Sequence, residues 1–134
     1  MKRRALLSLC LSAFALPFLA VPAHASEPKK KGGGEGFTQF PMLTVFTAGS
    51  GHRHGTLSVD MGLYTADPKM VDRIKLYMPR LKDAYINRLQ AYAANMTSSS
   101  LADADYLSSQ LQAVTNQVLG VTGARVLIGS VLLN

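Results

Sequence analysis

His52 and His54 are the residues whose type and spacing come nearest to a chemical centre in this chain. In Gly51-His52-Arg53-His54-Gly55, an H-x-H pair on extended backbone points both imidazoles to one side, which supplies half of a zinc site. A third ligand would have to be Asp60 or a more distant carboxylate, and Arg53 between the two imidazoles opposes a cation. The competing reading is a polar hairpin turn. A protein that binds a metal or small ligand at this turn is therefore the alternative function to be weighed.

No other grouping has the makings of catalysis. Ser98, Ser99 and Ser100 lie in a turn without a nucleophile-elbow sequence, and no glycine-rich phosphate loop follows a strand. Asp103 and Asp105 form a carboxylate pair, but at a helix start they complement the positive end of the dipole. The sole cysteine, Cys10, sits in the apolar opening run, so the rest of the chain offers no disulfide, thiolate ligand or thiol nucleophile. The expectation is a non-enzymatic protein with no cofactor.

Binding is the chemistry that remains, and the candidate surface lies on the longest periodic stretch. Val71, Ile74, Met78, Leu81, Tyr85, Leu89, Tyr92 and Met96 recur at spacings of 3, 4, 3, 4, 4, 3 and 4, one continuous helical stripe. Arg73, Tyr77, Arg80 and Arg88 stand off that stripe and form the candidate partner surface.

Other elements must position that helix. Met42 to Thr47 is a short β-branched and aromatic run, a first strand. Thr56 to Thr65 alternates, with Leu57, Val59, Met61 and Leu63 on the dry face, so a second strand can close an antiparallel hairpin. Asp67-Pro68 caps the long helix, and Pro79 inside it predicts one bent helix or two in series. Asp103 or Ser100 caps a second helix, with Ala104, Leu107, Leu111, Val114 and Val118 apolar, and Gly120 stops it. Ala124 to Leu133 is apolar on both faces and reads as a strand inside a sheet. The fold class is α+β, order β-β-α-α-β: a small antiparallel-containing sheet packed on one long kinked helix and a second helix.

Composition bounds the partners. The chain has 134 residues and a formal charge of +6, from fourteen basic and eight acidic residues. Three of the basic residues are Lys2, Arg3 and Arg4, and three more are Lys29, Lys30 and Lys31, so from Phe37 onward eight basic residues face six acidic ones, a small excess. That gives no footprint for nucleic acid.

Residues 1–25 read as a signal peptide: the basic start, an apolar run from Ala5 to Ala20, and the small-x-small site Ala23-His24-Ala25. The alternative is an uncleaved anchor, since residues 5–23 nearly span a bilayer. Membrane contact follows only if that segment is retained. Residues 26–36 are a flexible Lys/Gly linker, and residues 37–134 form one domain. The expected location is the periplasm, or the inner membrane with a periplasmic domain.

Four strings resemble the periplasmic domain of the FliL family, the flagellar basal-body-associated proteins. Phe40-Pro41-Met42-Leu43-Thr44-Val45 is similar to its proline-led opening strand, and Gly55 to Leu63 to its alternating second strand. Met78-Pro79-Arg80-Leu81-Lys82-Asp83-Ala84-Tyr85-Ile86 is similar to its Leu-Pro-x-Leu/Ile-Arg-Asp-Ala-Leu/Ile segment. Leu119-Gly120 and the terminal strand complete a likeness that spans about Phe40 to Asn134. It implies a stomatin-like domain, self-association as a homo-oligomer, contact with flagellar stator or basal-body proteins, and a role in cell motility and chemotaxis. FliL proteins keep their transmembrane helix, so the cleavable-looking signal sets this chain apart.

Overall fold

A computed structural model describes residues 34–49, 54–97 and 99–134. The signal segment, most of the linker, His52 and Ser98 lie outside these residues. Six elements follow in order: β1 (Phe37–Gln39), β2 (Leu43–Phe46), β3 (Thr56–Tyr64), α1 (Pro68–Ala93), α2 (Ala104–Leu119) and β4 (Arg125–Leu133). The fold is α+β, an antiparallel four-stranded sheet with two helices.

β3 is the axis of the sheet. β4 pairs along its full length on one side, while β2 and then β1 share the other, so the two short strands act as one interrupted edge. The interruption falls at Pro41, which has no amide to give a ladder. β1 is an addition to the expected order. Its three residues are too few for a period to register in the sequence.

Period two in β3 has the expected result: Leu57, Val59, Met61 and Leu63 are all 0–1% exposed beneath the helices. The opposite face is only partly wet. Gly62 is covered by the Phe37 ring, which occupies the space a Cβ would take, and Ser58 hydrogen-bonds Thr44 across the strands at 2.9 Å.

β4 corrects the reading of an interior strand. It pairs with β3 alone and forms an edge, with only Val126 of its apolar residues fully buried. A register shift opposite Asp60/Met61 leaves Gly129 as a bulge.

α1 runs unbroken through Pro79 as a single helix of 26 residues. Pro79 is exposed, so the Lys75 carbonyl it leaves without a partner is on the solvent side, where water can serve it. Asp67 caps the start by accepting from the Lys69 amide at 2.9 Å. Asp103 caps α2 through the Tyr106 amide at 2.9 Å, and Gly120 ends it in the left-handed region at φ 69°. Among the described residues no helix is long and apolar enough to cross a membrane.

The core lies between the sheet and the helices. Ile74, Leu81, Tyr85 and Leu89 of α1 meet Leu107, Leu111 and Leu119 of α2 above the β3 stripe. Phe40 packs edge-on against Tyr85, with ring centroids 5.4 Å apart. The buried row of α2 continues from Leu111 to Thr115 and Leu119, which leaves Val118 half-exposed on its flank.

Candidate interaction groove between the two helices

The groove begins with the sequence of α1. Arg73, Tyr77, Arg80, Ala84, Arg88 and Ala91 step by three or four residues, so they share one face of the helix. Arg80, Ala84, Arg88 and Ala91 line the seam with α2. The two helices run antiparallel there. The start of α1 meets the end of α2 through Arg73, whose Nη2 is 3.9 Å from where a Cβ on Gly120 would stand. A cation at that point complements the negative end of the α2 dipole. At the other end, the Tyr92 hydroxyl accepts from the Asp103 amide at 2.9 Å.

The structure divides the four candidate residues. Arg73 and Arg80 flank the Tyr77 ring, their guanidinium carbons 5.6 and 6.0 Å from its centroid. Such cation–π pairs hold the arginine stems along the helix at about 0.5–1 kcal/mol each when exposed. Arg80 also lines, with Arg88 two turns along, a groove of about 620 Å³. Ala84 and Ala91 of α1 and Val114 and Val118 of α2 make its apolar floor. The alanines give it depth, because longer side chains there would fill the seam.

A second hollow of about 470 Å³ shares Arg88 and Ala91 with the first and extends it toward the start of α2. Tyr92 and Tyr106 stack there, centroids 5.6 Å apart and planes 28° from parallel. Leu101 stands beside them 94% exposed. Side by side, the two hollows form a channel with an apolar floor, an aromatic end and two arginines in its lining.

Asp83 is the one acidic residue that lines this channel. Arg80 and Arg88 outnumber Asp83, so the lining carries a net positive charge. Surplus guanidinium charge suits a carboxylate from outside.

His54 is exposed ahead of β3, and His52 lies outside the described residues. The Asp60 carboxylate accepts from Gln39 Nε2 at 2.7 Å on the open face of the sheet. Among the described residues no three His, Cys, Asp or Glu side chains converge. Ser99 and Ser100 close a turn on Thr97, whose amide donates to Ser100 Oγ at 2.9 Å. Asp105 occupies the first turn of α2.

Three residues that matter here gave no periodic signal. Thr115 is buried and polar. Gln90 and Gln112 use their side-chain amides as imitation backbone. Gln90 donates to the Phe46 carbonyl at 2.8 Å and accepts from the Phe46 amide at 3.4 Å. Gln112 donates to the Ala124 carbonyl at 2.8 Å and accepts from the Val126 amide at 2.9 Å. Each glutamine ties a helix to an opposite edge of the sheet. No family model, curated protein or solved structure matches this chain.

Proposed function

We propose that this chain is a non-enzymatic, FliL-like protein of the periplasm that supports the flagellar motor by holding a motor component along the α1/α2 channel. The observation that carries this reading is the pairing of an apolar floor with two arginines against a single aspartate in the lining. That arrangement suits an amphipathic helix laid into a groove, with its apolar ridge on Val114 and Val118. Arg80 and Arg88 are eight residues apart, about 12 Å along the axis. Carboxylates two turns apart on the incoming helix would meet both. Such a module works by holding components together, which requires a stable surface and no reactive group.

Deletion of the gene tests the reading. Swimming should fall while growth is unchanged, and basal bodies purified from the parent strain should retain the chain. Undiminished swimming in the deletion strain would remove the motor role. Tight, stoichiometric zinc uptake lost in His52→Ala would put metal binding in its place.

A further inference from the structure

β4 is the longest unpaired edge among the described strands, and the ladder shows which of its backbone groups face outward. Asn134 exchanges both hydrogen bonds with Thr56, at 2.8 and 2.9 Å. Antiparallel alternation then turns the backbone of Leu133 and Val131 away from β3. Beyond the bulge at Gly129, Ile128 and Val126 face outward by the same rule. Gln112 satisfies the Val126 amide, so protection ends where the bulge begins.

The stretch from Ile128 to Leu133 has none of the devices that usually blunt an edge apart from that bulge. It contains no charge and no proline. Ile128, Val131 and Leu133 are half-buried, and Leu132 on the open face is 49% exposed. The opposite edge is treated differently, being short, broken at Pro41 and pinned at Phe46 by Gln90.

We propose that the Ile128–Leu133 edge pairs antiparallel with the same segment of a second copy of this chain, about a two-fold axis near Gly129 and Ser130 that sets the outward backbone of Val131 opposite that of Ile128, joining two sheets into one of eight strands. An uncharged apolar strand is complementary to itself, which is what an isologous contact requires. The area fits a reversible pairing. Six residues at ~3.3 Å each give ~20 Å of strand, and one sheet layer and one helix layer are together ~20 Å deep. That covers about 800 Å² over both copies, the weak end of specific interfaces. This pairing is independent of the α1/α2 channel and stands or falls without it.

Sedimentation of the purified exported protein between about 1 and 100 µM, a range that brackets weak association, is the test. The mass should rise toward two chains, and Val131→Lys should hold it at one chain throughout. Val131 is half-buried, so circular dichroism must first show that the variant folds. If it does not, hydrogen exchange on the wild type decides: the Val131 and Leu133 amides should slow at least tenfold across the same range. A single-chain mass at every concentration overturns the proposal. So does association that leaves these amides unprotected, or their protection only when a different polypeptide is added.

Discussion

Tyr85 and Thr115 meet at 2.6 Å in the buried seam between α1 and α2, and Thr115 spends its only proton on the Leu111 carbonyl at 2.7 Å. Tyr85 is therefore the donor. Thr115→Val leaves a buried hydroxyl proton without an acceptor and should cost about 1–3 kcal/mol. Tyr85→Phe removes only one bond and should cost about 1 kcal/mol. Urea unfolding should rank them in that order, with the double variant less destabilised than the sum.

Burial pushes the Tyr85 phenol up to about 12. Between pH 10 and 12 the unfolded chain ionises this tyrosine while the folded one keeps it protonated. Its contribution to stability is thus complete below pH 10 and is lost as pH rises toward 12. Over that window the wild type should lose on the order of 2 kcal/mol more than Tyr85→Phe does. Equal losses in parallel melts would place the phenol in a wetter environment.

The two glutamines differ in what their loss exposes. Gln112→Ala strands the Val126 amide and Ala124 carbonyl in part-buried positions and should cost about 1–2 kcal/mol. The Gln90 contacts with Phe46 are exposed, so water can replace them and Gln90→Ala should cost under about 0.5 kcal/mol. Thermal melts of the two variants give the comparison.

Gly62 has no side chain because the Phe37 ring occupies that space. Gly62→Ala should destabilise by about 1–3 kcal/mol through overpacking. Phe37→Ala in the same chain should recover part of the loss, since the ring is the group displaced. If Phe37→Ala worsens it instead, the ring's cover of the sheet outweighs the clash.

How much of this was legible depended on period and length. Ile74, Leu81, Tyr85 and Leu89 repeat often enough that the core face of α1 follows from sequence, as do the Asp67 and Gly120 boundaries. β4 was misplaced for a physical reason. An apolar run with no polar alternation signals two covered faces, and the chain alone covers only one. Thr115, Gln90 and Gln112 were invisible because a polar residue reveals its role only through the partner the fold brings to it. In the candidate site, helical spacing already set Arg80 and Arg88 on one face. The groove beneath them depends on Val114 and Val118, which α2 delivers from elsewhere in the chain.

The α1/α2 channel is the centre of the functional account, and Arg80→Glu/Arg88→Glu tests it most directly because both side chains are exposed and the fold should tolerate the change. Introduced into a strain lacking the gene, the double variant should fold with an unchanged melting profile and fail to restore the swimming that the wild-type gene restores. Full swimming with the reversed charges in place would contradict a partner held along this channel.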